Sequence, residues 1–147
     1  MKKSEIKSGV KNIITTTNNI RGQIDNILKP IYEIKKHFDA VEKLETKYDI
    51  ACDTNFDEVI GVAINNYMYS NDPLSEIDCA FEDLISDLEY WMEEISEDKQ
   101  EQIQEEYIDV LEKLREGLDT SDIYDKESLD KLLVDLINAI NNSGLVE

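Results

Sequence analysis

Thirty-four carboxylates face 15 lysines and arginines in this 147-residue chain, and the acids are the side chains whose spacing could do chemistry. Six of them, Glu89, Glu93, Glu97, Glu101, Glu105 and Asp109, recur every four residues with no basic residue in the series. On a continuous helix that spacing stacks like charges on one face, where each neighbouring pair costs roughly 0.2–0.5 kcal/mol. A helix shaped for stability alone would interleave lysines. Between Pro73 and Asp119 only Lys99, Lys113 and Arg115 stand against 17 acids. Carboxylates then fall roughly every 4 Å along a helix, close to the roughly 3.4 Å per phosphate of one DNA strand. Such a surface can stand in for a nucleic-acid backbone and accept the Arg and Lys of a basic protein. The plainer alternative is a solvated face that keeps the chain soluble.

Other chemistries find less material. His37 is the sole histidine, which rules out the paired Glu-x-x-His motifs of di-iron bundles and the two-histidine zinc helix. Cys52 and Cys79 have no nearby second cysteine and no motif for nucleophilic catalysis; Cys79, beside Ala80 and Phe81, is expected to pack. Asp53-x-Asn55-x-Asp57 opens like a calcium loop, but Glu58 replaces the turn glycine and Ile64 stands where the bidentate Glu is required. Neither a metal nor another cofactor is expected. Glu94-x-x-Glu97 and Glu116-x-x-Asp119, with Glu106-x-x-Asp109 as a competing second half, are similar to the magnesium-binding motif of the MazG-like family. The resemblance implies an all-α bundle that cleaves nucleoside triphosphates with magnesium held by those acids. It covers only these positions, Gly117 falls inside the second motif, and the cations needed to hold phosphates are scarce nearby.

Long helices must position these groups. Five Gly and two Pro against 19 Ile predict few turns, and no stretch approaches the roughly 18 apolar residues of a membrane span. Ile6, Val10, Ile13, Thr17, Ile20, Ile24, Ile27, Ile31, Ile34, Phe38 and Val41 alternate spacings of four and three, a heptad seam. β-branched residues at the d positions favour bundles over a two-stranded zipper. The seam residues Ile13, Ile20, Ile24, Ile27, Ile31 and Ile34 could pack within the chain or between copies. Pro30 removes one helical hydrogen bond, so a helix over residues 4–49 is expected to kink there or to divide in two. Gly9 and Gly22 each weaken that helix by about 1 kcal/mol relative to Ala.

After a linker over residues 50–55, four shorter helices are predicted. Asn55 with Glu58 reads as a capping box for the first, and Asp72 with Pro73 as the cap and first turn of the second, whose apolar side runs from Leu74 to Ile95. Ser96 starts a third, through Ile103, Tyr107, Val110, Leu111, Leu114 and Leu118 to Gly117. Asp125 caps the last, which stops at Asn141-Asn142-Ser143-Gly144. Tyr69 and Tyr90 fall off the apolar stripes and are expected as exposed anchors, while Trp91 and Tyr107 are expected to pack.

Charge divides the same way. Residues 1–50 carry 10 bases and 7 acids, residues 51–147 carry 5 and 27. The expectation is an all-α bundle with a mildly basic heptad helix over 1–49 and an acidic helical region over 50–147, one domain overall. Its expected job is non-enzymatic: binding and blocking a basic protein that handles nucleic acid, such as a nuclease, through Glu89, Glu93, Glu97, Glu101, Glu105, Asp109, Tyr69 and Tyr90, as phage-encoded inhibitors and immunity proteins do. An oligomeric scaffold or secretion chaperone built on the Ile seam ranks second, and the magnesium-dependent pyrophosphohydrolase third. Neither nucleic acid nor membrane is an expected partner, a homo-oligomer is allowed, and a cytoplasmic location is expected from the absence of a leader-like apolar run and from the cysteine usage.

Overall fold

Seven buried side chains, Ile6, Val10, Ile13, Thr17, Ile20, Ile24 and Leu28, form one stripe along helix α1 (Lys3–Glu33), and the other elements are laid around it. The structure is a computed structural model and describes residues 2–49, 55–118 and 126–146. The other helices are α2 (Lys35–Tyr48), α3 (Phe56–Asn71), α4 (Pro73–Met92), α5 (Glu97–Ile103), α6 (Asp109–Glu116) and α7 (Lys126–Asn141), with a π-helical segment, Gln104–Ile108, joining α5 to α6. No strand occurs among the described residues. The all-α expectation is met.

Helix α1 packs against α3, α4 and α7, and α4 in turn packs against the rod formed by α5, the π segment and α6. Tyr67 Oη donates to Gln23 Oε1 at 2.7 Å, and the Tyr32 and Phe56 rings lie 5.7 Å apart. Those two contacts make α3 antiparallel to α1. Ile77, Phe81, Leu84, Ile85 and Leu88 supply the buried face of α4, and Leu129, Leu133, Leu136 and Ile140 that of α7. Each fully buried aliphatic contributes about 1.5–3 kcal/mol relative to exposure. Thr17 is the one polar residue buried among those described, and its hydroxyl donates to the Ile13 carbonyl at 2.8 Å. Its polarity is satisfied within its own helix.

The heptad seam holds in register only as far as Ile24. Ile27 is 39% exposed and Ile34 44%, whereas Leu28 is fully buried in place of Ile27. A straight α-helix turns 3.6 residues per revolution against the 3.5 of a heptad, a drift of about 20° per repeat. Three repeats after Ile6 the accumulated angle of about 60° carries Ile27 off the contact line and brings Leu28 towards it. Without supercoiling the seam cannot stay on one side. The helix passes through Pro30 without ending, and the break comes at Ile34, at φ −92° and ψ 2°. There the Ile34 amide donates to the Ile31 carbonyl at 3.3 Å, three residues back, instead of reaching Pro30. The long N-terminal helix is thus two helices, joined four residues past the proline.

Helix ends differ in detail from their sequence signatures. Asn55 Oδ1 accepts the Asp57 amide at 2.9 Å, so it caps α3 through that residue and not in a box with Glu58. Asp72 does begin α4 ahead of Pro73, yet its side chain makes no cap bond. Its backbone is left-handed, at φ 41°, and its amide donates to the Met68 carbonyl at 3.1 Å. One residue therefore closes α3 and opens α4. Asp125, the predicted cap of α7, lies outside the described residues, as do Cys52 and Asp53. Past α7, Ser143 Oγ donates to the Ile140 carbonyl at 2.6 Å and accepts the Leu145 amide at 3.3 Å, which folds Leu145 back into the core.

The two glycines of α1 separate in role. A Cβ at Gly9 would sit 2.8 Å from Leu84 Cδ1, so Gly9 lets α4 approach α1 closely, whereas nothing lies within 4 Å of a Cβ at Gly22. Gly22→Ala is expected to raise stability by about 1 kcal/mol through helix propensity alone. Gly9→Val, forced into Leu84, is expected to lower it by about 1–3 kcal/mol. Urea midpoints of the two variants check the pair.

Candidate functional site

All six ladder acids, Glu89, Glu93, Glu97, Glu101, Glu105 and Asp109, are exposed, but the backbone does not carry them as one row. Helix α4 stops at Met92, and residues 93–96 form a turn before α5 begins at Glu97. Gln100 holds that turn: its Nε2 donates to the carbonyls of Met92 at 2.8 Å and Ile95 at 3.0 Å. At the far end Arg115 of α6 binds Asp78 near the start of α4. Contacts of 100 with 92 and of 115 with 78 mean that the rod runs antiparallel to α4. Glu89 therefore stands on α4, Glu93 in the turn just past its end, and Glu97, Glu101 and Glu105 on the antiparallel rod.

A second interruption separates Asp109. Through the π segment the backbone closes on the fifth residue, and Gln104 Nε2 donates to Asp109 Oδ1 at 2.7 Å across that same interval. Asp109 thus aligns with Gln104 and not with Glu105. The bulge has a packing cause: it lets Ile103 and Ile108, five apart, both reach the core ahead of Leu111. Sequence periodicity had assigned that line to Tyr107 and Val110, which are half-buried.

The acids stay largely uncompensated. Among the described residues the ion pairs are those of Arg115 with Asp78, a bidentate bond at 2.5 and 2.9 Å, and with Glu82 at 3.7 Å. The Arg115 hydrogen bond holds the Asp78 carboxyl below the usual carboxylate range, and the same bond raises Arg115. No described lysine of α1 or α2 pairs with an acid of α4 to α6. Tyr69, 93% exposed, and Tyr90, 70% exposed, stand free of the core as expected. Trp91 and Tyr107 are half-buried. Tyr67 is the buried tyrosine, and burial, reinforced by Glu76, pushes its hydroxyl pKa up.

Seam residues divide between core and surface. Ile13, Ile20 and Ile24 are each 1% exposed within the single chain, Ile31 is half-buried, and Ile27 and Ile34 face solvent. The first three already belong to the chain's own core and are not open to another copy. His37 is exposed, and so is Cys79, contrary to the packing expected of it; the turn of α4 places it opposite Phe81. The magnesium-type spacings fare differently from what their motif needs: Glu94 lies in the turn and Glu97 in α5, Glu106 lies in the π segment and Asp109 in α6, and Asp119 is outside the described residues. No group of three or more His, Cys, Asp or Glu placed to hold a metal ion occurs among the described residues. No helix is long and apolar enough to cross a membrane among those residues. No family model, curated protein or solved structure matches the chain.

Two outcomes follow from this geometry. Deleting Glu106 restores a spacing of four between Ile103 and the former Ile108, so the fold is expected to survive with an ordinary α-helix there. Deleting Lys113 instead turns Leu114 and Leu118 by about 100° and is expected to cost several kcal/mol; thermal melts of both deletions compare them. Because the Asp78 pKa is lowered on folding, its contribution is present above the unfolded carboxyl value of about 3.9 and is lost as pH falls through the folded value. Arg115→Gln is expected to remove at most about 1 kcal/mol at neutral pH, since the pair is partly exposed, and to leave stability unchanged once the pH lies below the lowered Asp78 value. A pH series of urea midpoints reads both limbs.

Proposed function

We propose that this protein is a non-enzymatic acidic binding protein that captures a basic, nucleic-acid-handling protein and blocks its cationic surface. The observation that supports the reading is the pairing deficit: α4 and the rod beside it expose acids in quantity, and Arg115 alone among the described cations is ion-paired to them. Exposed like charges on neighbouring helices repel at short range, and a cation-rich partner relieves that repulsion as it docks. The bound form gains charge-assisted hydrogen bonds that water only partly replaces.

The mimicry differs from a single strand-like file. Glu89 on α4 with Glu93 in the turn beyond it, and Glu97, Glu101 and Glu105 on the antiparallel rod, make two short groups, so the matching partner surface is a broad basic patch instead of a narrow groove. Tyr69 and Tyr90 are available as apolar anchors with a polar tip, the residue type enriched at interface cores. Steering by such a field shows as fast, salt-sensitive association.

Converting Glu89, Glu93, Glu101 and Glu105 together to Gln is expected to weaken capture of a basic nuclease by roughly tenfold or more, mainly in the association rate. The same change relieves repulsion and leaves the fold intact or firmer. Biosensor kinetics at low and high ionic strength, with circular dichroism alongside, measure both. Capture that ignores salt and survives the four substitutions would refute the acidic-surface reading.

A further inference from the structure

Helix α1 begins, α4 ends and the rod starts at one end of the bundle, and a cleft of about 250 Å³ opens among them. Two core residues, Ile6 and Ile103, reach it, and Trp91, Ile95 and Tyr107 line it as half-buried side chains. Tyr107 is there because of the π segment: the extra residue draws Ile103 and Ile108 into the core and displaces Tyr107 from the core line to the cleft. Bulges of this kind are frequent at functional sites. Lys3 of α1 and Lys99 of α5, both exposed, line the same cleft. Neither forms an ion pair among the described residues, in a chain whose acids outnumber its bases by 19. Glu106 is the one acid of the lining among those residues, and Gln102 Nε2 donates to both of its carboxylate oxygens at 3.4 Å.

We propose that this cleft binds a small apolar carboxylate of about eight carbons, its apolar body against Trp91, Ile95 and Tyr107 and its carboxylate towards Lys3 and Lys99. The lysines select the charge. With Glu106 set against one of the two ammonium groups, a single positive charge remains, which matches a monoanion, and the Trp91 N–H, the Tyr107 hydroxyl and the Gln102 amide add further donors. The net negative charge of the chain repels anions at long range, but at physiological ionic strength that field fades over about 8 Å, so the nearest charges decide inside the cleft. Volume sets the length. At roughly 30 Å³ for a water-sized group the cleft accommodates about eight such groups, a carboxylate with about seven carbons behind it. An inorganic anion would leave the Trp91 and Tyr107 rings uncovered, and a cation would meet the lysines. An apolar lining with a few polar groups is the usual make-up of a small-molecule site. None of these residues belongs to the acidic groups assigned to protein capture, so the two bindings are independent.

Trp91 is the sole tryptophan of the chain, so its fluorescence reads the cleft directly. Titration of the full chain with octanoate at physiological ionic strength is expected to shift that emission saturably, with a Kd of roughly 0.1–1 mM, the range for a ligand of about ten non-hydrogen atoms. The neutral 1-octanol is expected to bind about tenfold more weakly, and octylammonium to leave the emission unchanged. Lys3→Gln together with Lys99→Gln is expected to bring octanoate down to the affinity of 1-octanol while 1-octanol binds as before, with circular dichroism as the check on folding. Both lysines are exposed, so the double variant keeps its core. Emission that does not saturate with octanoate up to about 10 mM, an equal response to octylammonium, or octanoate affinity that survives the double substitution overturns the proposal. Capture of a basic protein is read from salt-sensitive association through the acidic groups, so failure here leaves that reading standing.

Discussion

Burial of the α1 stripe is the interaction on which the rest of this structure depends. The chain has a third of its residues charged and an excess of acid over base of 19, so the helices have little reason to associate except to cover Ile6, Val10, Ile13, Ile20, Ile24 and Leu28. Three helices do so directly, α3, α4 and α7, and the α5–α6 rod packs on two of these, α4 and α7. Gly9 sets how near α4 can come. That contact in turn fixes which side of α4 is left for acids: once Ile77, Phe81, Leu84, Ile85 and Leu88 face inward, Glu82, Asp83, Asp87, Glu89 and Tyr90 have only the outside to occupy. The acidic surface is a consequence of the apolar one.

Repulsion within that surface is smaller than an unbroken ladder would give. The turn at 93–96 and the π segment leave one like-charged step of four wholly inside an α-helix, Glu97 to Glu101, which costs about 0.2–0.5 kcal/mol. Several buried aliphatics outweigh that cost. Repulsion among these acids is therefore a minor term beside the burial of the core, and the acids remain exposed as a standing potential. Gln100 and Arg115 give the two ends of the antiparallel pair a fixed geometry, so the rows are presented by a stiff support and not by a loop.

The helices were legible because apolar spacing over long stretches records which side is buried, and the starts of three of them fall at Asn55, Asp72 and Ser96 as read, although of these only Asn55 caps through its side chain. Three things were not legible, each for a physical reason. The departure of Ile27 from the seam comes from the small mismatch between heptad and helix pitch, which shows only after several turns. The π segment arises because Ile103 and Ile108 compete for the core at a spacing no regular helix serves, and the sequence there, Gln104-Glu105-Glu106-Tyr107, carries no local breaker. Gln100, which ties off α4, looks in sequence like any exposed helical glutamine. The candidate site was read correctly as exposed and acidic but wrongly as linear, since spacing by four implies one face only where the helix is continuous.

Helix α2 shows the same limit from the other side. Periodicity made Phe38 and Val41 the continuation of the α1 stripe, which would have hidden them in one core. The junction at Ile34 ends that continuity, because a residue with ψ near zero redirects the chain, and beyond it no residue of α2 is fully buried. Phe56 then takes one edge of α2, and Leu44 and Tyr48 are left exposed. Pro30 itself is accommodated inside α1, since it withholds only the bond to the Asn26 carbonyl and the helix continues to Glu33. The same heptad pattern in the sequence thus runs through two helices of different burial, and only its α1 part supplies fully buried residues to the core.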